Sequence, residues 1–320
     1  METQGTFNWV QHPQLARASL MRQGSEQQMF ANEVFLVIGG GTVGYRVTEA
    51  LAHSGAGLGN NGKVIVYQGP DQVDIENLHS AFRLQDIGQP KPEVLQALVS
   101  SISPSAHFQI HGENVTNSLE VLEKHRPGIV IDACDDLTAK IGIRRDAATL
   151  AQQNRHKVNA IIMGTDTGYS RIVEYEDPRV EEYTIFNGKV SPDTLRLLEE
   201  TESPLEQFRA RVSLVFQAVG FEDFPTELLQ GFITFGEKVM RREKVSYPQH
   251  PFAGIRIGAD IAEIAFHLIN DRKVKSRVIL TNPTILFTEE GEQEELKRRR
   301  VLQKKVLELF FGKDAKYPYP

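Results

Sequence analysis

The sequence predicts an α/β protein: a doubly wound, mostly parallel sheet with helices on its faces, extended by a helical insertion and a C-terminal helix. Three observations predict it. Short continuous apolar runs at 34–39 (V-F-L-V-I-G), 63–67 (K-V-I-V-Y) and 129–133 (I-V-I-D-A) have the length and β-branched content of buried parallel strands. Stretches with helical character separate these runs, and such alternation is the signature of a parallel sheet covered by helices. The first run passes directly into G-G-G-T-V-G (39–44) and then into Val43, Val47, Ala50 and Leu51, spaced along one helix face.

Taken in order, residues 1–32 form a polar lead-in with a helix expected around Pro13–Phe30. The core, 33–186, opens with the strand at 34–39 and the glycine-initiated helix. A Gly/Asn-rich connection at 55–62 leads to the second strand. A helix is expected over Pro92–Ser100, a short strand over 106–111, and a helix around Leu119–His125. The run at 129–133, a helix from Lys140 to Gln153 and a strand at 157–163 (K-V-N-A-I-I-M) follow. Strand signals then fade. Residues 187–249 read as a helical insertion that opens on a Ser–Pro helix start and breaks at Gly220 and Pro225. Residues 250–320 return to the core through a helix at 254–269, with Ile257, Ile261, Ile264 and Leu268 at helical spacing. A strand at 278–280 leads to P-T-I-L-F (283–287), then a charged C-terminal helix and the tail K-Y-P-Y-P.

Composition excludes several classes. The chain has 320 residues, 40% hydrophobic and 24% charged, which is ample for a buried core and unlike a disordered chain. A formal charge of −6 provides no general attraction to nucleic acid or to a membrane surface. No run approaches the ~18 apolar residues of a membrane span, and METQGTFNWVQHPQ lacks the layout of a signal peptide. The expectation is a soluble, cytoplasmic protein. The single cysteine, Cys134, excludes a disulfide framework and multi-cysteine zinc sites. His107 and His111 lack a third metal ligand nearby and read as strand surface.

Gly39, Gly41 and Gly44 form G-x-G-x-x-G between a strand and a helix, the context a phosphate-binding loop requires. This makes the expected fold Rossmann-like. An NAD site calls for an acid at the end of the second strand, yet that strand ends in Gln68-Gly69-Pro70, and the first acid is Asp71. Three further elements suit cleavage of ATP at its α-phosphate: D-Q-V-D-I-E-N-L (71–78), Q-D-I-G-Q-P-K (85–91) and I-D-A-C-D-D (131–136). A lysine can neutralise phosphate charge, an asparagine can bond a phosphate oxygen, and a strand-end carboxylate can hold Mg²⁺.

In these residues the chain resembles the ThiF/MoeB/HesA ubiquitin-activating-like superfamily of adenylyltransferases, over roughly 15–175 and more weakly over 251–290. Asp71, Val73, Asn77, Leu78, Asp86, Ile87, Gly88, Lys91, Asp132 and Asp135 keep the family order and spacing. The resemblance implies ATP and Mg²⁺ as cofactors. It places Gly39, Gly40, Gly41, Gly44 and Asp71 against the nucleotide, Asn77, Arg83 and Lys91 on phosphates, and Asp135 on the metal. It implies attack by the C-terminal carboxylate of a ubiquitin-like protein or peptide on the α-phosphorus, giving an acyl-adenylate. It also implies a homodimer in which an N-terminal arginine, Arg17 or Arg22, reaches the neighbouring subunit's ATP.

Three positions depart from the family pattern. The ribose-binding aspartate falls on Gly69, which leaves Gln68 or Asp71 for that role. The arginine of N-L-x-R-Q falls on Ser80, with Arg83 three residues on, and the asparagine after the metal aspartate is Asp136. No cysteine follows Cys134, so no catalytic-cysteine thioester step is expected. The alternatives are a non-catalytic subunit or scaffold of the same fold that binds a protein partner, and, third, an NAD-dependent oxidoreductase.

Overall fold

The computed structural model describes residues 7–79, 81–156, 158–166, 170–241, 243, 251–281 and 289–313. Ser80, the P-T-I-L-F run (283–287) and the K-Y-P-Y-P tail lie outside the described residues. The chain divides into two compact units. One comprises Met1–Gly164, Val173–Tyr183 and Gly254–Val278; the other comprises Thr165–Ile172, Thr184–Ala253 and Ile279–Pro320.

A Rossmann-like sheet is built on β1 (Val34–Ile38), β2 (Lys63–Tyr67), β3 (Phe108–His111), β4 (Ile129–Asp132), β5 (Ala160–Asp166), β6 (Ser170–Glu176) and β7 (Arg277–Thr281). Its order is β3-β2-β1-β4-β5-β6-β7, with β1–β2, β2–β3, β1–β4 and β4–β5 parallel. The chain winds from β1 outward to β3, then crosses to β4. Ile38 is in register with both Tyr67 and Asp132, so the loops after β1, β2 and β4 leave the sheet side by side. That reversal point is where open α/β sheets place ligands.

The pleat sends alternate strand residues into separate cores. On one face Phe35, Val37, Val64, Val66 and Ile131 pack with Val47 and Leu51 of α2 (Thr42–Ser54) and Leu95 of α3 (Lys91–Ile102). On the other, Leu36, Ile38, Ile65 and Val130 pack with Leu122 of α4 (Ser118–His125) and with Ile143 and Leu150 of α5 (Leu137–Gln152). The predicted lead-in helix over Pro13–Phe30 is a correction. Residues 9–20 form three short 3₁₀ turns, and only α1 (Gly24–Asn32) is α-helical. It starts at a capping box between Gln23 and Glu26, a signal inside the predicted span.

β6 is absent from the predicted elements. Its Glu174 and Glu176 are each 3% exposed, so residues that look like a solvated face are buried and paired with arginines. In the second unit, α6 (Pro192–Glu200) starts at the predicted Ser191 cap, and α7 (Pro204–Val219) ends at Gly220 with φ +90°. α8 (Thr226–Met240) follows Pro225. Next in the chain is α9 (Pro251–Ile269), whose Ile257 and Ile261 belong to the core of the first unit. α10 (Glu289–Phe311) sets Leu302, Val306 and Phe310 into a phenylalanine-rich core with Phe216, Phe224 and Phe232. The charged C-terminal helix expected from the sequence therefore has an apolar packing face.

Candidate functional site

The glycine loop owes its path to contacts no side chain could tolerate. Gly39 has φ +102°, and a Cβ there would lie 2.4 Å from Ala133 O. A Cβ on Gly44 would lie 1.9 Å from Gly39 O, so the loop closes directly onto the first turn of α2. Above Gly41 nothing among the described residues comes within 4 Å of a Cβ position. Gly41 is the N-cap of α2 and supplies no side-chain cap hydrogen bond. A helix N-terminus without a side-chain cap attracts anions through its N–H groups and the helix dipole. Gly40 is held from below, where Gln68 Nε2 donates to its carbonyl at 2.5 Å.

The loop after β4 carries three acids with three different fates. Asp132 is buried, and its carboxylate accepts from Lys140 Nζ at 2.9 Å and from Arg144 Nη1 at 2.6 Å. Burial alone would raise its pKa, but Lys140 and Arg144 prevail and hold it below the usual carboxylate range. Asp136 caps α5 by accepting from the N–H groups of Thr138 and Ala139. Asp135 is exposed, and its carboxylate has no partner among the described residues. Cys134 Sγ donates to Asp132 Oδ1 at 3.1 Å. Burial and then the neighbouring carboxylate push the thiol pKa up, so it is neutral and a poor nucleophile.

The two motifs after β2 are brought together. Lys91 N–H donates to Asp71 O and Val73 N–H to Gln89 O, both at 2.9 Å, which lays 71–73 against 89–91. Lys91 Nζ faces Asp71 Oδ2 at 3.6 Å. Asn77 Oδ1 accepts from Asp74 N–H at 2.9 Å within a short 3₁₀ turn. Arg83 donates its backbone N–H to buried Asp86 and extends its side chain into solvent. The neighbouring Phe82 packs on Tyr45 of α2 at 4.7 Å between ring centroids. The segment bearing Arg83 is thus anchored to the first turns of the glycine-loop helix.

Several residues escaped the sequence reading. Arg144, fully buried, joins Asp132 to Glu176 at 2.5 Å, and Tyr183 donates its hydroxyl to Glu176. In the sequence Arg144 is one of two adjacent arginines on a helix, with nothing to mark it as the buried one. Asn114, in the loop after β3, is another: its Oδ1 would lie 2.6 Å from a Cβ on Gly69, whose φ is +79°. A groove at the amino ends of β2 and β3, lined by Lys63, His107 and Gln109, lies at the opposite end of the sheet. His111 stacks on Tyr67 and Tyr67 OH meets His125 Nε2, so His111 is more than a strand surface position.

Fold and loop together define a Rossmann-like α/β protein with a phosphate-type glycine loop at its topological switch point. The chain belongs to the ThiF family, whose model matches residues 12–197, and it has that family's ATP-dependent adenylation fold. It is 32% identical over 80 residues to human ubiquitin-like modifier-activating enzyme 7, covering 24% of this chain and 8% of that protein. It is 30% identical over 118 residues to the tRNA threonylcarbamoyladenosine dehydratase of Bacillus subtilis, covering 36% and 44% respectively. The match thus spans less than half of either relative. Among solved structures, E. coli MccB with MccA-N7isoASN superposes with TM-score 0.56 at 14% identity, over 84% of this chain and 69% of that one. PaaA superposes with TM-score 0.57 at 14% identity, over 86% and 80%.

Proposed function

We propose that the protein is an ATP- and Mg²⁺-dependent adenylyltransferase that activates the C-terminal carboxylate of a peptide or ubiquitin-like partner, with no thioester step. The observation that carries this is the uncapped α2 N-terminus at Gly41, open above the loop, beside the unpartnered carboxylate of Asp135. The partner's carboxylate oxygen forms a bond to the α-phosphorus, the bond to the bridging oxygen breaks, and pyrophosphate leaves with that electron pair. The product is an acyl-adenylate. Such a displacement is accelerated by holding the reactants in line and neutralising charge, which amides, lysine and arginine supply.

No group of three potential ligands is present among the described residues, so the metal would be held by Asp135 together with phosphate oxygens and water. This matches the way magnesium is bound at phosphates. Bound there, Mg²⁺ supplies positive charge to the phosphates. Gly39, Gly40, Gly41 and Gly44 line the phosphates in this assignment; Asn77, Arg83 and Lys91 complete the set. The likeness to MccB bound to MccA-N7isoASN and a net charge of −6 favour a peptide over RNA, although two relatives, from Bacillus subtilis and Saccharomyces cerevisiae, are named as tRNA dehydratases.

A second assignment, a non-catalytic partner-binding subunit, is favoured by Gly69, where a side chain for the ribose is missing. Calorimetric titration with ATP·Mg²⁺, with NAD as comparator and Asp135→Ala as control, separates them. Metal-dependent ATP binding, weakened at least tenfold in Asp135→Ala, supports the adenylation assignment (about 1.4 kcal/mol or more). Folded protein that binds no ATP sinks it and favours the scaffold; preference for NAD favours an oxidoreductase.

A further inference from the structure

The nucleotide site lacks the side chain that would be expected to hold the ribose, and the backbone makes the loss hard to reverse. Gly69 has φ +79°, a conformation that L side chains adopt only under strain. The two substitutes left open by the sequence are both engaged. Gln68 is 6% exposed and lies beneath the phosphate loop, with Nε2 on Gly40 O. Asp71 is ion-paired with Lys91.

A third group occupies the space a residue-69 side chain would enter. Tyr67 and His111 are register partners, and Gln68 N–H donates to His111 O at 3.0 Å, which fixes the start of the loop after β3 beside the end of β2. Three residues on, Asn114 presents its amide to Gly69, with Oδ1 2.6 Å from the Cβ position. Asn114 is exposed, and its side chain makes no hydrogen bond among the described residues. It is a polar group placed beside the loop with its donors and acceptor free.

We infer that Asn114 is the ribose-recognising residue of this site, a neutral amide delivered from the loop after β3 in place of a carboxylate delivered from the end of β2. The inference rests on the nucleotide-binding assignment above. Its chemistry differs from that of an acid in two ways. A carboxylate can only accept, whereas the amide accepts through Oδ1 and donates through Nδ2, so it takes one ribose hydroxyl as donor and the other as acceptor. It also leaves one negative charge fewer beside a triphosphate. Selection for ribose is correspondingly modest, since neutral hydrogen bonds contribute less than charged ones.

The test is calorimetric binding of ATP·Mg²⁺ and 2′,3′-dideoxy-ATP·Mg²⁺ to the full chain, wild type and Asn114→Ala. A wild-type preference for ATP of roughly tenfold, abolished in Asn114→Ala with dideoxy-ATP affinity unchanged, is the expected result. Asn114→Asp, whose carboxylate can still accept from the hydroxyls, retains a preference. A preference kept intact in Asn114→Ala, or none in the wild type, overturns the inference while leaving ATP binding standing. Wild-type protein that binds neither nucleotide overturns both. Asn114 lies on the surface, and circular dichroism of the variants confirms that the fold is unchanged.

Discussion

Five consecutive residues, Asp132 to Asp136, show how little a residue type says about its work. Three aspartates there serve as a buried anchor, a helix cap and an exposed carboxylate without a partner among the described residues, and the difference lies in what each one touches. Arg144 supports the anchor. Replacing it with Met leaves Asp132 and Glu176 buried without their shared partner, and urea unfolding is expected to show a loss of about 3–5 kcal/mol. A loss under about 1 kcal/mol would mean that Lys140 suffices to hold Asp132. His125 offers a pH signature. Burial, then Lys124 and other nearby cations, lower its pKa from 6.5 to about 4. Below about pH 6.5 the unfolded chain takes up a proton that the folded chain refuses until about pH 4, so stability falls across that window as pH falls. Thermal melts of His125→Gln should show a shallower decline between those values than the wild type. Identical slopes would remove His125 from the account.

At the scale of elements, the strand–loop–helix unit of β1 and α2 is the most legible part of the chain. Its apolar run, its glycines and its helix periodicity all specify one backbone, and the structure has that backbone. Gly44 is the tightest point. A Cβ 1.9 Å from Gly39 O forces loop and helix apart, so Gly44→Ala is expected to cost about 1–3 kcal/mol and to weaken ATP binding more than tenfold. Calorimetry with wild-type ATP affinity in that variant would show that loop closure is not required for the phosphates. β6 was illegible for the opposite reason. Burial of Glu174 and Glu176 depends on arginines 103 and 32 residues away in sequence, Arg277 and Arg144, and no local window contains them.

For the molecule as a whole, the family resemblance implies a homodimer completed by Arg17 or Arg22, and the two arginines have different surroundings. Arg22 lies over the Phe266 ring at 4.2 Å and donates to Gln27 at 3.0 Å, so it is engaged within its own chain. Arg17 is exposed. If a neighbouring subunit completes the nucleotide site, Arg17→Ala lowers ATP-dependent turnover at least tenfold without changing the melting temperature, while Arg22→Ala mainly lowers the melting temperature (a cation–π contact is worth ~1 kcal/mol). Sedimentation showing a monomer at working concentration, with full activity in Arg17→Ala, would remove the shared-site arrangement. The second unit has a core of its own, in which Phe216, Phe232 and Phe310 meet from three helices.

The sequence by itself determined the first strand and the glycine loop after it, the two motifs after β2, and the helical character of 192–240. Each of these is written in local periodicity, turn residues or motif spacing, and each is a short-range constraint on the backbone. Only the tertiary structure decided which of Asp132, Asp135 and Asp136 is free, that Lys91 rests on Asp71, and that Asn114 stands where Gly69 has no side chain. Those facts depend on residues distant in the chain and adjacent in the sheet. Burial and partnership, which set whether a charged group anchors, caps or binds, are properties of that adjacency.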